Sequence, residues 1–109
     1  MDARARYDDI CDDLAGRNPE VVLTQMMGMP AVKADGKLVC GWVRSQGAMV
    51  FKLPDADAHA AALALSGAHL FDPGGNGRPF KEWVVVPDAH AFAWPRLAEQ
   101  ALALRHTAT

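Results

Sequence analysis

Between Gly74 and Pro87 the chain passes directly from its most flexible composition to its most strand-forming one. Asp72-Pro73-Gly74-Gly75-Asn76-Gly77 holds too many turn formers for regular structure. Glycine and asparagine accept left-handed backbone, and proline supplies no ladder donor. Lys81 to Val86 then gathers β-branched and aromatic residues. Trp83 and Val85 alternate with Val84 and Val86, and both sets are apolar. A strand of that kind is expected to be buried on both sides, so the rest of the chain must pack around it.

Upstream, a meander is legible. Asp35-Gly36 is a two-residue hairpin signal between Ala31–Ala34 and Lys37–Val43. Alternation puts Leu38, Cys40 and Trp42 on one face of that second strand, and Lys37, Val39, Gly41 and Val43 on the other. Gly41 leaves room for a close neighbour. After the turn Arg44-Ser45-Gln46-Gly47, Ala48–Leu53 alternates again, with Met49, Phe51 and Leu53 inward and Val50 and Lys52 outward. Before the meander, Glu20–Met27 reads as a strand, interrupted by a turn or bulge at Met26-Met27-Gly28-Met29-Pro30. The methionines there fit core packing beside a glycine bend, since no histidine or cysteine accompanies them as a soft-metal ligand.

Three helices are expected. Tyr7, Ile10, Cys11 and Leu14 recur at helical spacing, with Asp2 as cap and Gly16 as stop, so the first spans about Ala3 to Ala15. Asp55 caps an alanine-rich second helix over Ala56–Leu65, ended by Gly67. Leu97, Ala98, Ala101, Leu102 and Leu104 mark a third from about Trp94 to Arg105, with Pro95 in its first turn. The order α-β-β-β-α-β-α describes an α+β fold: one domain over residues 1–109, an antiparallel meander sheet with flanking helices in a two-layer sandwich.

Composition narrows the function classes. Half of the 109 residues are hydrophobic and 22% are charged, as in an ordinary globular domain. No apolar run is long enough for a membrane span, and the N-terminus lacks a secretory h-region, so a cytoplasmic protein without membrane contact is expected. Cys11 and Cys40 form no C-x-x-C pair and read as small buried hydrophobes. Net charge is −2, which gives no general support for nucleic-acid binding. The charge is unevenly spread, however. Residues 1–20 are net acidic, whereas Lys33, Lys37, Arg44 and Lys52 face only Asp35 over residues 33–52. A local basic sheet surface follows, with lysine-guarded strand edges as the simpler reading.

Chemistry-bearing patterns are sparse. His59, His69, His90 and His106 show no metal-ligand spacing, and Ser45 and Ser66 have no nucleophile-elbow context. Asp8, Asp9, Asp12 and Asp13 read as a solvated acidic helix face. The glycine loop lacks a P-loop's Lys-Ser/Thr and leads into a strand instead of a helix, so nucleotide binding in the standard modes is not expected. What remains is an anion or small-ligand site around Asn76, Arg78, Lys81 and Trp83, weighed against a connector whose glycines supply positive φ. No catalytic residue, metal or cofactor is expected.

Taken in order, several motifs resemble one group. Met26-Met27-Gly28-Met29-Pro30-Ala31, Asp35-Gly36-Lys37-Leu38-Val39-Cys40-Gly41-Trp42, Val50-Phe51-Lys52-Leu53, Gly67-Ala68 and Gly77-Arg78-Pro79-Phe80-Lys81-Glu82-Trp83-Val84-Val85-Val86-Pro87 look like the TfoX N-terminal-domain and YjbR/MmcQ-like group. The resemblance covers nearly the whole chain. It implies a small bacterial α+β domain, an association with competence regulation, and, for YjbR-type members, proposed DNA binding. It supplies no catalytic residues, and the C-terminal helical domain of full-length competence regulators has no counterpart here.

Three functions compete. The leading one is a non-enzymatic regulatory or protein-interaction module, with a homodimer or another protein as partner, using Val39, Val43 and Val50 as an apolar sheet face left uncovered by helices. The second is DNA binding through Lys33, Lys37, Arg44, Lys52, Arg78 and Lys81. The third is the glycine-loop ligand site.

Overall fold

In a computed structural model that describes residues 2–107, the chain forms a six-stranded antiparallel sheet with its helices on one face. The elements are α1 (Ala3–Arg17), β1 (Val21–Met26), β2 (Met29–Ala34), β3 (Lys37–Val43), β4 (Ala48–Lys52), α2 (Ala56–Leu63), β5 (His69–Phe71), β6 (Phe80–Val86), a 3-10 helix (Asp88–Ala93) and α3 (Trp94–Ala103). Across the sheet the strands run β1-β2-β3-β4-β6-β5. The α+β class and the single sheet with flanking helices match the sequence reading.

The strand inventory is fuller than expected. Met27 and Gly28, both at positive φ (51° and 78°), close a two-residue hairpin. The expected interrupted strand is therefore two strands, β1 and β2, paired from Val21↔Ala34 to Met26↔Met29. Asp35 (φ 53°) and Gly36 (φ 77°) close the next hairpin as the sequence predicts. The short apolar stretch after Gly67 forms β5, which pairs with β6. Asp2 and Asp55 cap their helices by accepting from the amides of Ala5 (2.8 Å) and Ala58 (2.9 Å).

β4 and β6 join the two halves of the chain through Met49↔Val86, Val50↔Val85, Phe51↔Val84 and Lys52↔Trp83. On the helix side, Met49, Phe51, Val84 and Val86 meet Leu14 of α1, Ala62 of α2 and Leu97 of α3. Trp94 is wholly buried there and donates its indole N–H to the Val86 carbonyl (3.1 Å). Trp42 bridges Tyr7 and Trp94, with ring centroids at 5.8 and 6.5 Å. Cys11 and Cys40 are free thiols within this core.

The other face is also buried, which corrects the expectation that Val39, Val43 and Val50 are left open. Val43 and Val50 pack there with Met26, Ala31, Ala48, Phe71, Trp83 and Val85. The curl of the sheet brings the Met26 methyl from β1 to 3.6 Å from the point where a Gly41 Cβ would stand on β3. Gly41 is thus the close-approach position that the sequence marked. Val39 goes to the helix side instead. Val32 faces Cys40 while Lys33 faces Leu38, so Val39 is the extra residue of a β-bulge. The bulge turns Val39 and Cys40 to the helices and sends Leu38 to the opposite face, breaking the expected Leu38/Cys40/Trp42 alignment.

Trp94→Ala should cost about 3–5 kcal/mol of unfolding free energy, as full burial of a large aromatic implies. Gly41→Ala, whose new methyl would lie 3.1 Å from the Pro30 carbonyl oxygen, should cost about 1–3 kcal/mol by overpacking. Urea denaturation with an unchanged slope checks both.

Candidate functional site

The sequence candidates separate into three places. Lys33, Lys37 and Lys52 converge on one depression of about 530 Å³, completed by Gly36, Leu38, Arg105, His106 and Thr107. β2 and β3 bring Lys33 and Lys37 together through the Asp35-Gly36 turn, and Lys52 arrives from the end of β4. The chain leaving α3 supplies the remaining wall. Arg44 is not part of it. It lies in the β3–β4 turn, a strand length of about 20 Å from Lys37 at roughly 3.3 Å per residue. Arg78, Lys81 and Asn76 are exposed on the glycine loop and the start of β6, outside this depression.

Arg105 is the organising cation of the wall. Its guanidinium donates to Asp35 Oδ2 (2.9 Å), to Glu20 Oε2 (3.0 Å) and to the Leu102 carbonyl (2.8 Å). His106 Nε2 reaches the same Asp35 oxygen at 3.1 Å. These bonds hold the chain after α3 against the β2–β3 turn and the start of β1. The Arg105 guanidinium, then the His106 ring, hold the Asp35 carboxyl below the usual carboxylate range. Among the described residues, none of the three lysines has a carboxylate within ion-pair distance. Glu20 and Asp35 are occupied by Arg105, so the lysine charge is uncompensated.

The glycine loop is internally closed. Asp72 Oδ2 accepts from the Gly77 amide (3.0 Å), the Asp72 carbonyl accepts from Gly75 (3.2 Å), and Asn76 Oδ1 accepts from the Arg78 amide (3.1 Å). A carboxylate already sits where an anion would meet the loop N–H groups, and its Oδ1 is buried without a partner. The anion reading of this loop therefore loses the Gly75, Gly77 and Arg78 amides and keeps only the Arg78 and Lys81 side chains. Trp83 is corrected as well. Its indole is only 8% exposed and packs against the face away from the helices, so it is core and not a ligand platform.

The histidines and thiols have structural partners. His59 Nε2 donates to the Lys81 carbonyl (2.7 Å), His69 Nδ1 to Gly67 (3.1 Å) and His90 Nε2 to Ser66 (2.8 Å). Burial pushes the Cys11 thiol up to about 11 and Cys40 well above its ordinary value, so neither is a thiolate at neutral pH. Among the described residues no group of three or more His, Cys, Asp or Glu is arranged to hold a metal, and no helix is long and apolar enough to cross a membrane.

Two features escaped the sequence. Arg105 and His106 sit some seventy positions from Asp35, and no local pattern links them. The second is the β1 edge of the sheet. Val22, Leu23 and Met27 are exposed there at 57%, 51% and 56%. The adjacent apolar pair Val22-Leu23 was its only hint, because a one-sided strand would have placed a polar residue at one of them. Compared with protein-family models, curated proteins and solved structures, the chain matches none.

Asp35→Asn keeps a residue that tolerates positive φ but removes the charge that Arg105 and His106 share. Because the folded Asp35 pKa is depressed, its contribution to stability is present above the unfolded value of about 3.9 and is lost as pH falls through the folded value. The variant should therefore melt below the parent at pH 6–7, and the gap should close as pH falls through the depressed folded value of Asp35. Thermal unfolding across that range reads the difference.

Proposed function

We propose that this chain is a non-catalytic regulatory domain that acts by protein contact, pairing its β1 edge with that of a second copy. The observation that carries the reading is the state of that edge. In a two-residue hairpin the residues flanking the turn, Met26 and Met29, bond to each other. Alternation then directs the N–H and C=O of Leu23 and Gln25 outward. Pro30, opposite Gln25, agrees with this register, because its missing N–H is not needed at a non-bonded position.

Natural sheets blunt long edges with charge, proline, bulges or brevity. The opposite edge, β5, is only three residues long. β1 is six residues long and contains no charged residue and no proline. Its pairing with β2 runs without a bulge. The exposed Val22 and Leu23 lie on opposite faces of it, so apolar surface brackets the free backbone groups above and below. Two such strands meeting antiparallel about a two-fold bring no like charges together within the ladder, and the interface is isologous. Nearby on α1, Arg4 and Asp8 form an ion pair at 3.0 Å beside Leu23 and Gln25, offering a charge of each sign to a symmetric neighbour.

The resemblance to the TfoX N-terminal-domain and YjbR/MmcQ-like group favours a regulatory role over an enzymatic one. DNA binding through six dispersed cations is not favoured, since only Lys33, Lys37 and Lys52 share a surface.

Sedimentation equilibrium should show a concentration-dependent dimer, and the Leu23 and Gln25 amides should gain hydrogen-exchange protection as it forms. Leu23→Pro removes an outward donor that β2 does not use, at a position where an edge strand tolerates proline. It should weaken association at least about tenfold, the equivalent of one or two net hydrogen bonds, while leaving the monomer folded. A monomer at millimolar concentration, or dimerisation unaffected by Leu23→Pro, counts against the reading.

A further inference from the structure

We infer that the depression walled by the chain leaving α3 is a binding site for a small phosphate-bearing molecule, held by Lys33, Lys37 and Lys52. The site is separate from the β1 edge and uses different residues. It rests on three observations: where the lysines come from, what the neighbouring charges are doing, and what shape they enclose.

The lysines come from three strands and are placed by backbone register, not by a shared flexible segment. Lys33 is fixed opposite Leu38 and Lys52 opposite Trp83. Lys37 opens β3 opposite Ala34. The bulge at Val39 has a direct effect here, because it turns Leu38 to the side of the sheet where it lines the depression among the lysines. An apolar wall among cationic arms is the usual make-up of a small-molecule site, and about 530 Å³ lies within the size range of such sites.

Lysine-guarded edges are the competing explanation, and they do not fit. β2, β3 and β4 are interior strands, each paired on both sides. Their lysines block no edge. Three ammonium groups drawn to one concavity repel one another, and among the described residues no carboxylate is paired with them. The two carboxylates nearby, Glu20 and Asp35, are committed to Arg105, with His106 sharing Asp35. An anionic ligand relieves that repulsion.

The same arrangement selects the class of anion. Arg105, the one guanidinium at the site, donates to Asp35, Glu20 and the Leu102 carbonyl. Each of its three nitrogens already serves one of these acceptors, so Nε–H is taken and two of the five N–H donors are left, and the unpaired positive charge at the site is that of the lysine ammoniums. Those act as point charges with freely rotating donors, suited to a multiply charged tetrahedral group. Because the cations are confined to one depression while Arg44, Arg78 and Lys81 lie elsewhere, the ligand is compact, not an extended polyanion.

The test is a titration of the full chain with inorganic phosphate, pyrophosphate, malonate and a short DNA duplex, followed by amide chemical shifts. Saturable binding is expected, tighter for pyrophosphate than for phosphate. The shifts should be confined to Lys33–Leu38, Lys52 and residues 105–107. Lys33→Gln with Lys52→Gln should weaken pyrophosphate at least tenfold, while Arg78→Gln leaves it unchanged. Each substitution replaces a charged side chain at an exposed or half-exposed position by a neutral hydrophilic one, and the amide spectrum reports whether the fold persists. Several results would overturn the inference: no saturation by tens of millimolar, shifts centred on residues 72–81, or binding insensitive to the double substitution. Malonate equal to pyrophosphate would overturn the phosphate class, and duplex DNA binding tighter than pyrophosphate would overturn the compact site.

Discussion

The pairing of β4 with β6 is the constraint on which the rest of the molecule depends. It joins a four-stranded meander made of neighbours in sequence to a strand some thirty positions further on. Val50 and Val85 bury one face of that pair and Phe51 and Val84 the other, all four at no measurable exposure. Such a two-sided strand pair cannot sit at an edge or on a surface. β5 must flank it on the far side, the helices must cover one face, and the curl of β1 and β2 must close the other. Everything between Leu53 and Phe80, including α2 and the glycine loop, is the connection this pairing demands.

Seen in that way, the glycine loop is a solution to a backbone problem. β6 runs antiparallel to both β4 and β5, and the β5–β6 register shifts between Leu70 and Phe71. That shift leaves part of the start of β6 without a ladder on the β5 side. His59 supplies a substitute by donating to the Lys81 carbonyl, and Phe71 packs edge-on to Phe80 at 5.8 Å. Asp72 and Asn76 then satisfy the loop's own amides. The Gly75, Gly77 and Arg78 amides that made this stretch look like an anion site are therefore bonded within the loop, although the loop itself is exposed.

What the sequence revealed, and what it hid, follows from range. Asp2, Asp55 and Asp35-Gly36 act within a few residues of themselves, so the caps and one hairpin were readable directly. The two-sided apolar run at Trp83–Val86 was readable too, because burial on both faces removes the polar half of the alternation. The bulge at Val39 was not, since nothing in Lys37-Leu38-Val39-Cys40 distinguishes a strand that keeps step from one that slips. That slip moved Val39 into the helix-side core and turned Leu38 away from it, while Val43 and Val50 were buried on the other face by Met26, Phe71 and Trp83. Lys33, Lys37 and Lys52 stood out as an excess of positive charge, but only the fold separates them from Arg44. Arg105 was invisible as a partner of Asp35 because their contact depends on α3 crossing the sheet.

The β1 edge and the lysine depression are joined by one cross-strand row. Val22 lies opposite Lys33, and Lys33 lies opposite Leu38. Val22 is exposed at the edge, and Lys33 is half-buried one strand in. A strand laid against β1 would cover Val22, the cross-strand neighbour of Lys33, and so reduce the water around the Lys33 stem. A desolvated cation meets an anion more strongly, because less of the attraction is screened by solvent. It is also more costly to leave unpaired. Were both proposals to hold, edge pairing and anion binding would meet at this one side chain, and such linkage would be reciprocal: whatever the edge did to the affinity of Lys33 for an anion, the anion would do to the affinity of the edge for its partner. Small domains with a single continuous sheet have few ways to connect two surfaces. A row of side chains running across the strands is the shortest of them, and here it has an apolar residue at the outer end and a cation in the middle.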